Sequence, residues 1–325
     1  MVLAQSLFRL LKQRHPYSQL DVLAPTWTQP LLARMPEVDE AIAVSFAHGR
    51  LDLVERLRLG KQLRARRYDW AILLPNSFKS AIVPAMAGIP RRTGFRGEWR
   101  YGMLNDIRAL DKRKLPRTVD RFVVLGLDRD EPLPAEIPVP RLIANLGQAR
   151  AVLERLGVPF SDKPILALAP GAEYGPAKRW PEEYYADLVQ AKVKDGWDVW
   201  LFGSERDAEV TREIVRLTQG RCVDLAGRTS LAEAIDLLSL AHAVVTNDSG
   251  LMHIAAALAR PLVAIYGSSD PRHTPPLGTR AQIVYLGLSC SPCFERECPL
   301  GHLRCLYDVE PRQVLTALNE ACVDG

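Results

Sequence analysis

Residues 244 to 258, Val-Val-Thr-Asn-Asp-Ser-Gly-Leu-Met-His-Ile-Ala-Ala-Ala-Leu, leave the backbone few choices. Ala243 to Val245 are small or β-branched and read as the end of a buried strand. Thr246, Asn247, Asp248, Ser249 and Gly250 make a polar turn. Apolar residues at 251, 252, 254 and 258 then start a helix at once, with Ser249 or Asp248 placed to cap it. Such a junction leaves unpaired backbone N–H groups at the helix start, and with the helix dipole they suit a phosphate. An ordinary capped junction of an α/β protein satisfies the same pattern.

A second stretch adds to the first. Residues 165 to 181 run Ile-Leu-Ala-Leu-Ala-Pro-Gly-Ala-Glu-Tyr-Gly-Pro-Ala-Lys-Arg-Trp-Pro. A strand ends near Ala169, a Pro/Gly loop follows, and Lys178 and Arg179 precede Trp180 and Pro181, which suits a first helical turn. Lys178 reads as a surface-loop cation whose removal leaves the fold intact. Two strand ends of one sheet, one offering N–H groups and the other cations, can converge on a diphosphate, because ligands of open α/β sheets bind at those carboxyl ends.

The rest of the chain repeats the alternation. The first half reads as a helix at 2–14, a strand at 20–23, a helix near 28–35 and a strand at 41–44. A helix at 51–67, a strand at 70–74 and helices at 78–88 and 117–127 follow. Residues 128 to 140 carry Pro132, Pro134, Pro138 and Pro140 and read as the linker between a domain of residues 1–140 and one of residues 141–325. After a helix at 145–156, strands at 165–169, 199–203, 222–225, 242–246 and 262–266 alternate with helices at 182–194, 205–218, 230–240 and 250–258. Strands alternating with helices imply α/β architecture with parallel sheets, and the second half reads as a doubly wound sheet in its own right. The last helix is expected to pack back on the first domain.

At 325 residues the chain suits two domains, and 47% hydrophobic with 25% charged residues is the balance of a water-soluble globular protein. No run approaches the roughly 18 apolar residues of a membrane span, and no signal segment opens the chain. A cytosolic protein with reduced cysteines is expected. The net charge of +4 hides a basic stretch from Arg50 to Arg117, which suits a polyanionic partner or a set of solvated helix faces. Nucleic acid is disfavoured, since no recognition motif or interleaved aromatic pattern accompanies the charge.

Pro170 to Pro181 together with Thr246 to His253 resemble the ADP-heptose:lipopolysaccharide heptosyltransferases, a glycosyltransferase family, and most of all its heptosyltransferase II branch. Leu74-Pro75-Asn76-Ser77-Phe78-Lys79-Ser80 and Gly88-Ile89-Pro90-Arg91-Arg92-Thr93-Gly94 extend the resemblance to the first half. It implies the glycosyltransferase-B fold, two Rossmann-like domains facing a cleft. It implies inverting transfer of L-glycero-D-manno-heptose from ADP-heptose to the first heptose of the lipopolysaccharide inner core, by a cytoplasmic protein peripheral to the inner membrane. It also implies an earlier start: family members begin with a strand and a Gly-rich loop bearing an Asp, the proposed base, and then a helix matching Val2 to Leu7. The first strand and the general base are therefore expected to be missing from this chain. Two alternatives stay open, a non-catalytic ADP-sugar-binding homologue and a heptosyltransferase acting on a different core sugar.

Transfer requires charge stabilisation on the leaving diphosphate, loss of the acceptor's proton and alignment of two sugars. Lys178 is the expected stabiliser, with Arg179 beside it or packed outward. Ser249 and Gly250 offer donors to the distal phosphate, while Asp248 accepts from the turn or from heptose hydroxyls, and His253 reaches the same place. Ser204 and Glu205 are expected at the ribose, and Thr229 at the adenine. On the acceptor side the resemblance picks out Asn76, Ser77, Lys79, Arg92 and Arg96, each of which is otherwise a loop cap or a surface charge.

No cofactor or catalytic metal is called for, because a lysine and a helix terminus meet the diphosphate charge. The Asp-x-Asp of Asp128 and Asp130 falls in the linker, and residues 171–178 lack the Gly-Lys-Ser/Thr ending of a Walker loop. Cys290, Cys293, Cys298 and Cys305, with His302 nearby, are packing thiols, a structural zinc site or, least compatible with the cytosol, disulfide partners.

Overall fold

The computed structural model describes residues 1–46, 49–278 and 280–323. It divides into two compact units, the first holding Leu3–Ala33 and Glu37–Pro138, the second Arg34–Pro36 and the chain from Val139 onward. Every strand pairing in both units is parallel.

The first unit opens with helix α1 (Gln5–Arg14), whose Leu7, Phe8 and Leu10 are buried. Strand β1 (Asp21–Pro25), helix α2 (Gln29–Leu32), strand β2 (Glu40–Val44), helix α3 (Leu53–Leu63) and strand β3 (Trp70–Leu73) follow. Helix α4 (Phe78–Met86), strands β4 (Arg91–Phe95) and β5 (Asp106–Arg108) and helix α5 (Thr118–Val123) complete it. The strands form two sheets, β1–β2 and β3–β4–β5. Strands β4 and β5 escaped the sequence reading because arginines interrupt their apolar pattern. Here Arg91 lies over the Trp70 ring at 4.1 Å, and Arg108 pairs with Asp106 at 2.8 Å, so these charges are partnered rather than solvated.

The second unit holds helix α6 (Leu146–Leu156), strand β6 (Ile165–Ala169), helix α7 (Glu182–Lys194), strand β7 (Asp198–Leu201), helix α8 (Ala208–Leu217) and strand β8 (Val223–Asp224). It continues with helix α9 (Leu231–Leu238), strand β9 (Ala243–Asn247), helix α10 (Gly250–Ala257), and strands β10 (Leu262–Tyr266) and β11 (Ala281–Tyr285). Helices α11 (Arg304–Tyr307) and α12 (Pro311–Val323) end it. One six-stranded sheet runs in the order β11-β10-β9-β6-β7-β8. Every residue of β6, β9 and β10 is buried, which is why these strands read as unbroken apolar runs. Strand β11 is only half-buried, and its weaker pattern hid it. The last helix, α12, packs on β9, β10, β11 and α7 of this same unit, where Val314, Leu318 and Ala321 are buried.

Chain order reverses between β6 and β9: from β6 the sheet grows one way through β7 and β8, the other way through β9, β10 and β11. A crevice at the carboxyl ends of two such strands is where open α/β sheets take their ligands.

Candidate active site

The loop after β6 is anchored at its far end by Trp180. This indole is fully buried, donates from Nε1 to the Val309 carbonyl at 2.8 Å and meets Tyr185 edge-on at 4.9 Å between centroids. Two residues upstream, at the end of a 3-10 turn, sits Lys178. The turn is stitched to neighbouring loops. Ala177 N–H donates to the Arg296 carbonyl at 3.0 Å, Ser268 N–H to the Ala177 carbonyl at 3.2 Å, and Phe294 N–H to the Ser268 carbonyl at 2.7 Å. Gly175 permits the approach: at φ +153° a Cβ there would lie 2.5 Å from the Arg296 carbonyl oxygen. Tyr174 lies beneath two cations, Lys178 at 5.1 Å and Arg296 at 5.4 Å from its centroid.

The turn after β9 meets this loop. Asp248 Oδ2 accepts from the Lys178 ammonium and, at 2.6 Å, from the Ser269 hydroxyl. Asp248 is 8% exposed and the Lys178 side chain 17%, so the pair is largely withdrawn from water. That corrects the expectation of a surface-loop cation: the loop is at the surface, but its lysine points inward to a carboxylate. The capping expectation is also corrected. Helix α10 has no side-chain cap, because the Ser249 hydroxyl lies 3.1 Å from that of Thr246 and Asp248 faces Lys178. The first-turn N–H groups of α10 are therefore without a side-chain acceptor among the described residues, at the carboxyl end of β9, where the chain order of the sheet reverses.

Three buried polar atoms flank the pair with no hydrogen-bond partner among the described residues: Arg179 Nε, Ser268 Oγ and His253 Nδ1. Burial holds the His253 imidazole down to about 4 against the opposing pull of Asp248, so it is neutral at pH 7. Buried unpartnered donors and acceptors are rare in folded proteins, and a catalytic or ligand-binding role is one reason for them.

The other donor-side candidates follow the neighbouring strand ends. Ser204 caps the 3-10 turn Glu205–Asp207 in a reciprocal box with Asp207, its N–H donating to the Asp207 carboxylate at 2.9 Å. Its hydroxyl is thereby occupied. Glu205 is exposed, and its Cα lies 3.1 Å from where a Cβ on Gly227 would stand, so the loops after β7 and β8 adjoin. Thr229 is half-buried in the second of them.

In the first unit, Asn76, Ser77 and Lys79 follow β3, and Arg96 follows β4. Arg100, which the sequence reading passed over, organises them. It is 2% exposed, donating to the Pro75 carbonyl at 2.7 Å, to the Phe95 carbonyl and to Asn76 Oδ1 at 3.4 Å. Ser77 precedes α4 without a side-chain cap bond, and Lys79 Nζ donates to the Arg50 carbonyl at 3.2 Å. The Arg92 guanidinium is bound to the Met103 carbonyl at 2.5 Å and to the Ile89 carbonyl, a structural engagement. Arg96 is exposed.

All six cysteines are free. Burial, and then the nearby Cys290, Cys293 and Cys298, push the Cys305 thiol up to about 11. The backbone amides of Leu303, Leu300, His302 and Gly301 draw that of Cys298 down. Among the described residues no three His, Cys, Asp or Glu side chains stand together as a metal's ligands would.

The signal for Ser269 and Arg296 was absent from the sequence, since Ser269 reaches Asp248, and Arg296 the loop that carries Lys178, only through loops brought together by the sheet. Against known proteins, the profile of glycosyltransferase family 9 (heptosyltransferase) matches residues 56–304. The lipopolysaccharide heptosyltransferase 2 of Escherichia coli (strain K12) is 45% identical over 328 residues, spanning 98% of this chain and 94% of that protein. The lipooligosaccharide heptosyltransferase 2 of Haemophilus influenzae is 44% identical over 331 residues, spanning 98% and 95%. The structure of E. coli ADP-heptose lps heptosyltransferase II superposes with a TM-score of 0.89 at 44% identity, covering 100% of this chain and 95% of that one. The α/β fold of parallel sheets is thus shared with a solved heptosyltransferase, and the chain belongs to glycosyltransferase family 9, the heptosyltransferases.

Proposed function

We propose that this chain is an inverting transferase that moves L-glycero-D-manno-heptose from ADP-heptose to the first heptose of the lipopolysaccharide inner core. The observation that carries the reading is the Lys178–Asp248 pair beside the uncapped start of α10, at the reversal point of the second unit's sheet. Family membership and relatives named heptosyltransferase 2 over nearly their whole length support it.

In this reading the diphosphate of the donor lies at the first turn of α10. Its oxygens accept from backbone N–H groups and the Ser249 hydroxyl, and Lys178 turns from Asp248 to the phosphate. As the acceptor oxygen bonds to the anomeric carbon and gives up its proton to solvent, the bond from that carbon to the phosphate oxygen breaks, and its electron pair leaves on the diphosphate. Lys178 stabilises the charge that develops there, which is where a fixed cation accelerates the step most. Asp248, released, accepts hydrogen bonds from heptose hydroxyls. Arg179 and His253 present their unpartnered nitrogens alongside, and the loops bearing Ser204, Glu205 and Thr229 take the nucleoside. The acceptor, an anionic lipid-linked sugar at the inner face of the membrane, meets Asn76, Ser77, Lys79 and Arg96, while Arg92 supports that surface from within. No helix of the described residues is long and apolar enough to cross a membrane, so the contact proposed is peripheral.

The test is steady-state transfer from ADP-heptose to a purified inner-core acceptor. Lys178→Ala should lower kcat at least about tenfold. Unchanged kinetics would remove Lys178 from the mechanism, and no transfer by the unaltered protein would overturn the reading as a whole.

A further inference from the structure

We propose that Asn247 is the positioning residue for Lys178, its one buried amide holding both ends of the loop that carries the lysine. The inference rests on the role given to Lys178 above. Asn247 is the last residue of β9 and is fully buried. Its Nδ2 donates to the Pro170 carbonyl at 2.6 Å, where the loop leaves β6. Its Oδ1 accepts from the Trp180 N–H at 3.2 Å, where the loop ends, and from the Tyr185 hydroxyl at 3.1 Å, on the next helix.

The chemistry of the partners fixes which way the amide points. A backbone N–H can only donate and a proline carbonyl can only accept, so exchanging the amide's oxygen and nitrogen would break two bonds at once. Burial raises the Tyr185 hydroxyl well above its ordinary range, which keeps it a donor. No other side-chain type supplies one donor and an oxygen taking two donors in this volume. Asp would face the Pro170 carbonyl with a second oxygen, and Leu would leave three buried polar groups unpaired.

The placement matters because of what adjoins it. Asp248 follows Asn247 directly, and Lys178 lies two residues before Trp180. A single side chain thus sets the spacing between the ammonium and the turn at the start of α10, although it touches neither. Loss of this brace lets the loop shift, and a misplacement near 1 Å costs about 10² in rate.

A double-mutant cycle tests this, with Lys178→Ala, Asn247→Ala and both together assayed for kcat and KM per mole of folded protein. Asn247→Ala alone should lower kcat tenfold to a hundredfold with KM for ADP-heptose changed less than threefold. In the Lys178→Ala background the same substitution should lower kcat less than twofold, since the group it positions is gone. An equal factor in both backgrounds, or a full kcat in folded Asn247→Ala, overturns the inference. A Lys178→Ala without effect overturns instead the function proposed for the lysine. Should Asn247→Ala not fold, Tyr185→Phe removes one donor to Oδ1 and keeps the ring. It should lower kcat severalfold with the lysine present and not without it, and an unchanged kcat overturns the inference.

Discussion

Lys178 sits against a carboxylate that would otherwise be buried alone, so its substitution has two consequences. Lys178→Ala leaves Asp248 with the Ser269 hydroxyl as partner, and about 1–3 kcal/mol of stability should go with the activity. Denaturant titration measures it, and a loss within error of zero would mean that water replaces the ammonium. Lys178→Gln, which can still donate to Asp248, should recover most of the stability but not the turnover. His253 makes a prediction in pH. Its folded imidazole titrates near 4 against 6.5 when unfolded, so between those values the unfolded chain binds the extra proton. Stability should therefore fall as pH is lowered from 6.5 toward 4, and His253→Asn should flatten that slope. A wild-type imidazole seen by NMR to titrate at 6.5 would contradict the burial. Lysine and histidine were picked out as candidates from the sequence because the motifs that contain them are long. The partners of the lysine were not. An ion pair spanning 70 positions leaves no periodic trace, and a local rule assigned Asp248 or Ser249 to a helix cap when a tertiary contact had claimed the carboxylate and Thr246 the serine hydroxyl.

At the level of elements, the loop between β6 and α7 is shaped by its neighbours more than by its own propensities. Gly175→Ala would drive a Cβ into the Arg296 carbonyl, in a backbone region that side chains rarely adopt. The substitution should cost about 1–3 kcal/mol through overpacking and lower kcat about tenfold by moving Lys178. Thermal melting and transfer kinetics check the two parts separately, and a variant normal in both would show that the loop has slack. The buried strands β6, β9 and β10 stood out in the sequence because both faces of each are apolar. Strands β4 and β5 did not, since their arginines find aromatic, carbonyl and carboxylate partners only after folding. Strand β11 was hidden for a related reason: a half-buried edge strand shows only part of an apolar pattern.

Across the whole chain the two units differ in how their sheets are built. The second has six continuous strands over a core that includes Trp180, Tyr185 and Leu306, whereas the first divides five strands between two sheets whose residues are mostly half-buried. Amide exchange should accordingly be slowest in β6, β9 and β10 and faster throughout β1 to β5. Equal protection in both would mean that exposure of the first unit's strands does not limit their opening. Chelation is also read on the intact molecule. On the function proposed, Lys178 and the start of α10 meet the leaving charge, so EDTA should leave the transfer rate unchanged, and a loss restored by magnesium would place a divalent ion in the step. Finally, Asp248 is an internal counterion. On the function proposed, a diphosphate arriving at Lys178 would displace this carboxylate rather than a cloud of dissolved anions, in an exchange that takes place where bulk salt screens poorly. ADP affinity should therefore depend only weakly on ionic strength, and inorganic phosphate, which brings charge but neither sugar nor nucleoside, should compete for the site poorly.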